Sequence, residues 1–346
     1  MRRLRVPPAA TLPAAVGYLT AVAVFDVAIS GRAVLIGLLI FGPLLAALGS
    51  SARATAFVGA YAVALAIPLG FIDDIGGTLD HAIRVGVLAT GSVVAVWFAH
   101  LRVEREQALR RIAHVAEVAQ RAILRQPPPE IGSLSMAVRY LSATEEALVG
   151  GDLYETAYTV AGVRLIVGDV RGKGLDAVGV AASVLSTFRE FVHQAADLGD
   201  LARAIDGRLR GTIGAEEFVT AVLVEVPERG DITIVNCGHH PPLRLTDREH
   251  SFLVAGTSDL PLGMGPDCRS WPFELATGDR LLLYTDGLVE ARDAAGREFD
   301  VLSNADVLCG DDLGASLDEL LECVLAHVGQ RLDDDLAVLL TERQER

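Results

Sequence analysis

The stretch "LIVGDVRGKGLDA", residues 165–177, contains the features that decide the fold of the second half of this chain. An apolar, strand-like run ends at Gly168 and Asp169, and glycines at positions 172 and 174 flank Lys173. A strand that ends in a carboxylate, followed by a flexible glycine turn and a helix, holds an oxygen ligand in a fixed direction. The glycines and the lysine also suggest a phosphate-binding loop. The spacing of these residues distinguishes such a loop from a turn that presents a carboxylate ligand.

The spacing disfavours a nucleotide loop. A Walker A loop has four residues between its glycines and a hydroxyl residue after its lysine. Here three residues separate Gly168 from Gly172, and Gly174 follows Lys173. An acid directly after the first glycine, Asp169, would also repel phosphate. A nucleotide-binding membrane protein is therefore the weaker alternative.

Acids occur at the ends of other strand-like runs as well. Asp152 follows two glycines, Asp286 ends the run "LLLYTDG" (281–287), and 333–335 is a triple aspartate before the last apolar run. A single Asp-Gly is usually only a turn, but four such positions predict a cation site. Mg²⁺ and Mn²⁺ take carboxylate, carbonyl and water oxygens, and no histidine or cysteine cluster is spaced for zinc.

Strand-like runs fill the chain from residue 131 onward, in pairs around one helical block. Helices are predicted over 175–196, about 198–211 and about 315–331. Because the strands do not alternate with helices, the pattern favours an α+β fold with antiparallel sheets over a doubly wound parallel sheet. The predicted strands lie within 134–143, 152–170, 218–228, 231–239, 279–287 and 334–342.

Seven segments in order resemble a known family. The chain from about 126 to 342 is similar to the metal-dependent serine/threonine phosphatases of the PPM superfamily, in the bacterial branch of stage II sporulation protein E and RsbU-like regulators. The segments are "VGGDLYE" (149–155), "IVGDVRGKGLDA" (166–177), "FVTAVL" (218–223), "NCGHHPP" (236–242), "LPLGM" (260–264), "GDRLLLYTDGLVEA" (278–291) and "DDDLAVL" (333–339).

The resemblance implies an αββα sandwich of two antiparallel β-sheets flanked by helices, with two Mn²⁺ or Mg²⁺ ions at one end. It implies that Asp169 bridges both ions and that the Val170 carbonyl binds one of them. It implies that the other is held by Asp286 and by one aspartate of the triple 333–335, for which we choose Asp334. The implied metal ligands are Asp152, Asp169, Val170 through its carbonyl, Asp286 and Asp334.

The implied activity is hydrolysis of phosphoserine or phosphothreonine by a metal-activated water, with Asp169, Asp286 and Asp334 as the catalytic set. The implied partner is a phosphorylated anti-sigma-factor antagonist. A non-catalytic PPM-like binding module is the alternative from another class. A serine hydrolase is unsupported, because the motif G-x-S-x-G is absent.

Three further side chains are candidates for substrate binding. Arg171 and Lys173, the only lysine in the chain, are placed to steer a phosphate, with a solvated turn as the alternative. His239 is placed to protonate the leaving group, with a buried structural histidine as the alternative.

The first hundred residues are far more apolar than the rest, in a chain that is 51% hydrophobic with mean hydropathy +0.38. Four segments approach the ~20 residues that a helix needs to cross a bilayer. They predict a four-helix transmembrane module over 1–100 in contact with membrane lipid, with a buried bundle of a soluble domain as the alternative. The segments are 12–30, 33–50, 54–72 and 82–99.

Charges around these segments predict the orientation. Arginines lie before the first, between the second and third, and after the fourth, whereas the loop after the third carries Asp73, Asp74 and Asp80. The positive-inside rule then puts both termini and the phosphatase domain in the cytoplasm, in a multi-pass cell membrane protein. Asp26, inside the first segment, is either a sensing residue or an acid that water reaches.

Residues 101–129 form a predicted helical linker that stops at three prolines, before a phosphatase domain over 130–346. Leu109, Ile112, Val115 and Val118 recur at helical spacing. They predict either a homodimeric coiled coil within 101–126 or a solvated face, since the heptads are few. Rotation of this helix is a hypothetical means of completing the metal site.

Charge and cysteine content exclude other classes. Residues 126–346 hold 18 Lys+Arg and 38 Asp+Glu, a balance of −20, which argues against a nucleic acid partner. The four cysteines form no CxxC pair, so we expect reduced thiols.

Overall fold

The computed structural model describes residues 8–29, 34–142, 150–214, 216–254, 256, 259–329, 332 and 334–345. The chain divides into two compact units, Met1–Leu109 and Arg110–Arg346.

The first unit is helical. Three of its helices are long and apolar enough to cross a membrane: α1, α3 and α4. The helices are α1 (Pro8–Ala28), a 3₁₀ helix (Ile36–Ile40) that continues into α2 (Phe41–Ala47), α3 (Ala52–Ile72) and α4 (Leu79–Ile123), whose last part belongs to the second unit.

The second predicted span, 33–50, is not of spanning length in its described part. It contains an apolar helical stretch over Ile36–Ala47 only, shorter than the ~20 residues needed. Pro43 explains the break, because proline fits the first turn of an α-helix but not its interior, so α2 begins at Phe41 and the preceding turn is 3₁₀. The other three predicted spans coincide with α1, α3 and α4.

Contacts at the ends of these helices show that they alternate in direction. At one end, the Thr11 and Ser50 hydroxyls lie 2.9 Å apart, and Arg102 donates to the Ser50 carbonyl at 2.6 Å. At the other end, the Leu35 N–H donates to Asp26 at 2.7 Å. The end that holds Asp26 is therefore opposite the end that holds Arg102.

The second unit contains two antiparallel sheets. The six-stranded sheet, in the order β1-β2-β11-β10-β7-β8, and the five-stranded sheet, in the order β3-β4-β5-β6-β9, pair only antiparallel neighbours. The strands are β1 (Glu130–Ile131), β2 (Leu134–Leu141), β3 (Leu153–Thr159), β4 (Gly162–Val170), β5 (Val219–Val226), β6 (Ile232–Cys237), β7 (Leu243–Leu245), β8 (His250–Phe252), β9 (Ser270–Phe273), β10 (Arg280–Tyr284) and β11 (Leu336–Arg343).

Three apolar layers hold this unit together. One lies between the sheets and joins residues of β2 and β11 to residues of β4 and β5. The second packs α5 (Leu175–Phe191) and α6 (Leu198–Arg210) on the five-stranded sheet, and the third packs α8 (Leu313–Val328) and a 3₁₀ helix (Leu302–Cys309) on the other. Burial of these faces is the main favourable contribution to folding. The predicted αββα sandwich is confirmed.

The differences from the predicted elements are local. The run 152–170 is two strands joined by a turn at 160–161, and the helix predicted over 175–196 ends at Phe191. Strands β1, β7, β8 and β9 were not predicted, because runs of two to four residues are too short to show an alternating pattern.

Candidate active site

Asp169 lies at the end of a central strand. In β4 it is paired with Thr220 of β5, and one residue later the strand ends. The following turn requires glycine: φ is +119° at Gly172 and +89° at Gly174, a region that other residues avoid. The turn thus ends the strand directly after the acid, before α5 begins at Leu175.

Asp152 comes beside Asp169 because β3 and β4 form a hairpin. Leu153 pairs with Gly168, and Asp152 lies within hydrogen-bonding reach of the Asp169 carboxyl. Gly151 permits this approach, since a Cβ there would lie 2.5 Å from the Val170 Cβ and 2.6 Å from the Val170 carbonyl oxygen. No side chain larger than hydrogen fits without a shift of the backbone.

The other sheet contributes Asp286 and Asp334. Asp286 begins the short helix α7 (Asp286–Val289) directly after β10, and Asp334 precedes β11. Because β10 and β11 are antiparallel neighbours, with Tyr284 opposite Val338, the end of one lies beside the start of the other. The two sheets therefore bring four acids to one end of the sandwich.

Thr285, which sequence reasoning missed, joins the two sheets at this point. Its side chain is fully buried and donates to Asp152 at 2.9 Å. It also accepts from the Ala337 N–H at 2.9 Å. The only signal in the sequence is its place before Asp286, which does not reveal a partner 133 residues away.

The carboxylates repel one another. Burial, and then the charges of Asp286 and Asp334, raise the pKa of Asp169 to about 7. Burial raises the pKa of Asp152 well above its usual value, with the Asp169 charge as the next cause. Burial and the Asp334 charge raise the pKa of Asp286 too. A bound cation would relieve this repulsion.

The donor set fits hard divalent cations, because it consists of carboxylates and a backbone carbonyl. In the described part of the chain, however, no three His, Cys, Asp or Glu side chains converge as the ligands of one ion do. The acids form a wider cluster instead, and the Lys173 ammonium lies 2.8 Å from Asp334. The predicted metal ligand Asp334 is therefore paired with a positively charged side chain in this structure.

The triple aspartate separates into different environments. Asp335 is buried and accepts from Tyr140 at 2.5 Å, the Gly150 N–H at 2.7 Å and Ser142 at 3.3 Å. Asp334 is 42% exposed, and Asp333 lies outside the described residues. This placement favours Asp334 over Asp335 as a metal ligand, which stays a prediction.

Both ring nitrogens of His239 lie within hydrogen-bond distance of other groups of the protein. Its Nδ1 lies 3.0 Å from the Thr220 hydroxyl and its Nε2 lies 3.0 Å from the Tyr284 carbonyl. The Tyr284 carbonyl can only accept, so Nε2 carries a proton, and in a neutral ring Nδ1 accepts from the Thr220 hydroxyl. Burial lowers the pKa of His239 to about 4. The geometry favours the structural alternative over a role in protonating the leaving group.

The two basic candidates lie at the turn after Asp169. Lys173 is paired with Asp334, and its side chain is 37% exposed. Arg171 lies over the Phe218 ring, 5.2 Å from its centre, and donates to the Glu216 carbonyl at 2.9 Å. Both remain predicted phosphate contacts.

His240 is a candidate that sequence reasoning did not single out. Its ring stacks on Tyr284 with centroids 6.1 Å apart. Its electrostatic effect lowers the pKa of the Asp286 carboxyl, against the larger effect of burial. The signal was the unusual pair of histidines in "NCGHHPP".

The last turns of α4 also reach the acids. The Gln120 amide donates to the carbonyls of Gly150 at 3.2 Å and Asp152 at 3.4 Å. Its oxygen lies 3.0 Å from the Tyr140 hydroxyl, which has one hydrogen and donates it to Asp335 at the shorter distance of 2.5 Å. The linker helix therefore holds the backbone that positions Asp152.

Known structures identify the class. The SiaA-PP2C domain of Pseudomonas aeruginosa matches with a TM-score of 0.58 and 20% identity, covering 71% of this chain and 100% of that chain. The RsbU and RsbW domains of a Mycobacterium tuberculosis protein match with a TM-score of 0.55 and 25% identity, covering 62% and 61%. The second unit has the fold of PP2C-type phosphatase domains.

The sequence comparison narrows the class to a family. The family model of Stage II sporulation protein E (SpoIIE) matches residues 159–344, and the chain belongs to this family. Phosphoserine phosphatase RsbU of Bacillus subtilis (strain 168) is 22% identical over 203 residues, 55% of this chain and 57% of that protein. The chain thus spans little more than half of this relative's length. The resemblance stated from the sequence is confirmed.

Proposed function

We propose that this protein is a membrane-anchored, metal-dependent serine/threonine protein phosphatase. The observation that carries the proposal is the cluster of buried acids at one end of the sandwich, where burial and mutual repulsion raise the pKa of Asp152, Asp169 and Asp286. Such repulsion is a cost in a metal-free domain, and it favours uptake of cations. Membership of the SpoIIE family and similarity to a phosphoserine phosphatase support the same activity.

Asp152, Asp169, Asp286, Asp334 and the Val170 carbonyl would hold two Mn²⁺ or Mg²⁺ ions. Bound there, these ions would activate the attacking water and neutralise charge on the phosphoryl oxygens.

The chain's own groups prepare the site. Thr285 fixes the Asp152 carboxylate, and Gln120 fixes the backbone on either side of Gly151. Lys173, half-exposed, would leave Asp334 when a cation binds and turn to the substrate phosphate, with Arg171 beside it.

The substrate that we propose is a phosphorylated anti-sigma-factor antagonist. The resemblance to RsbU-like regulators supports this, as does the structural match to a protein with RsbU and RsbW domains. The three apolar helices and the flanking arginines support a location in the cell membrane with the phosphatase domain in the cytoplasm.

The exposed stripe on α4 supports a homodimer through 101–126. Leu109, Ile112, Val115 and Val118 are 61%, 46%, 56% and 54% exposed, an apolar row at helical spacing. Because Gln120 lies on the same helix, a dimer that rotates α4 would move the hydrogen bonds that position Asp152. This is the route by which we propose that the membrane unit regulates the site.

The test uses the full-length protein in detergent. It should hydrolyse p-nitrophenyl phosphate and a phosphoserine peptide with Mn²⁺ and lose activity with EDTA. Asp169→Asn and Asp286→Asn should each lower the rate about 100-fold or more, because several kcal/mol of charge stabilisation is lost. Asp231→Asn, at an exposed position before β6, is the matched control.

Calorimetric titrations with Mn²⁺ and with ATP distinguish the phosphatase from the two alternative functions, a non-catalytic binding module and a nucleotide-binding protein. Mn²⁺ binding without hydrolysis by the wild-type protein would favour a non-catalytic binding module. Tight ATP binding that is lost in Lys173→Ala would favour the nucleotide loop. Hydrolysis that is unaffected by EDTA would contradict the proposal outright.

A further inference from the structure

Two carboxylates meet at the end of the first unit that lies opposite Arg102. Asp26 stands on the last turns of α1 and is fully buried, and Asp73 directly follows α3. One Asp26 oxygen accepts from the Leu35 N–H at 2.7 Å. The two acids are 47 positions apart in sequence, so the packing of α1 against α3 brings them together.

The remaining oxygens of this pair have no donor. Asp26 Oδ2 and both carboxylate oxygens of Asp73 are buried without a hydrogen-bond partner. Yet the two carboxyls lie within hydrogen-bonding reach of one another. Ionised carboxylates only accept hydrogen bonds, so this contact becomes favourable only when one proton lies between them.

We propose that Asp26 and Asp73 form a proton-binding site in which the two carboxyls share one proton. The buried position makes the doubly ionised pair costly, since Asp26 receives a single donor, the Leu35 N–H, and Asp73 receives none. Asp73 therefore takes up the shared proton at a pH where an exposed aspartate stays ionised.

The surrounding charges do not replace that proton. Burial is the largest cause that raises the pKa of Asp73, followed by Asp26, and Arg84 opposes them. Arg84 itself is paired with Asp80 at 2.7 Å. Asp74 adds a further negative charge.

The only histidine near this end among the described residues is directed elsewhere. His81 is buried, with Nε2 3.3 Å from the Ala66 carbonyl. No three His, Cys, Asp or Glu side chains converge here or elsewhere in the described part of the chain. What the pair lacks is a hydrogen-bond donor for its three unsatisfied oxygens, and a shared proton supplies one.

The site has a direct covalent connection to the linker helix. Residues 73–78 join α3 to α4, and α4 runs on to Ile123. Loss of the shared proton leaves two like charges in contact and separates the ends of α1 and α3. If the proposed orientation holds, this end faces away from the cytoplasm, and the pair responds to acidity outside the cell.

The experiment is an infrared pH titration of the full-length protein in detergent, following the carbonyl stretch of protonated carboxyl groups. Asp152 and Asp169 also contribute to that band, so the site is assigned from the difference between wild type and variants. The wild type should retain one protonated carboxyl that Asp73→Asn and Asp26→Asn each remove. Asp74→Asn, at the exposed neighbouring position, should retain the band, with its titration shifted to lower pH.

Two results would overturn the assignment. One is an identical band in wild type and Asp73→Asn at every pH. The other is loss of the band when Mg²⁺ or Ca²⁺ is added at constant pH, which would make the pair a metal site. The band does not depend on hydrolysis, so an inactive phosphatase would leave this test unaffected.

Discussion

Two adjacent aspartates before β11 have opposite environments, and exchanging each for asparagine tests the assignment of the site. The Asp335 carboxylate is buried and receives hydrogen bonds from Tyr140, Ser142 and the Gly150 N–H. The Asp334 carboxylate is 42% exposed and pairs with Lys173. We expect Asp335→Asn to destabilise the fold and Asp334→Asn to weaken metal binding.

The magnitudes follow from the hydrogen bonds. Tyr140 and the Gly150 N–H both donate to Asp335 Oδ2, so an asparagine oxygen in that place keeps both bonds, and its NH₂ group faces the Ser142 hydroxyl. The bonds then go to a neutral acceptor, and they fall from about 1.5–3 kcal/mol each to about 0.5–1.5 kcal/mol each. We therefore expect the free energy of unfolding of the second unit to fall by about 2 kcal/mol. At 2–4 °C per kcal/mol, its Tm should fall by roughly 4–8 °C.

Asp334→Asn should change stability by less than about 1 kcal/mol, the usual worth of an exposed ion pair. Its Mn²⁺ affinity should fall at least about tenfold, since a direct ligand is expected to matter no less than the groups around a metal site.

Tryptophan fluorescence can report on the second unit alone. The chain has two tryptophans, Trp97 in α4 and Trp271 in β9. Because Trp97 is 56% exposed, Trp97→Phe provides a background in which unfolding by heat is followed at Trp271. Calorimetry on the folded variants at low temperature gives the Mn²⁺ affinity. An Asp335→Asn variant of normal stability that binds no Mn²⁺ would refute the reasoning.

Three further outcomes are expected. Gln120→Ala should weaken Mn²⁺ binding several-fold with a modest loss of stability, because the Gly150 and Asp152 carbonyls lose their donor. Calorimetric titration with Mn²⁺ measures this effect, and an unchanged affinity would contradict it. Gly151→Ala should abolish Mn²⁺ binding by displacing Val170, whereas Gly207→Ala, in open space on α6, should retain it. His239 is neutral in the fold, so the free energy of unfolding should fall as the pH is lowered from about 6.5 to 4, by about 2 kcal/mol at pH 5 relative to pH 8. Urea unfolding of His239→Gln should lack this component. Parallel plots of unfolding free energy against pH for the wild type and the variant would contradict it.

Much of the site was readable from local sequence because strand ends are local features. A continuous apolar run followed by Gly-Asp-Val-Arg-Gly marks the end of β4 without knowledge of its neighbours. The same holds for Asp286 after β10. The family resemblance suggested which acids lie together. The pairing of β3 with β4 places Asp152 beside Asp169, and the pairing of β10 with β11 places Asp286 near Asp334.

The sequence pattern by itself determined the apolar first unit, the α+β class with antiparallel sheets of the second and the strand-end positions of the acids, because each depends on composition or periodicity over a few residues. The sandwich arrangement was implied by the family resemblance. Only the tertiary structure decided that Asp335 is tied to Gly150, that both nitrogens of His239 are engaged, and that Asp26 lies against Asp73. The short second helix is not among these outcomes, because Pro43 is a signal in the local sequence. The contacts depend on partners 19 to 185 residues away, and hydrogen-bond satisfaction and burial at such distances leave no local pattern to read.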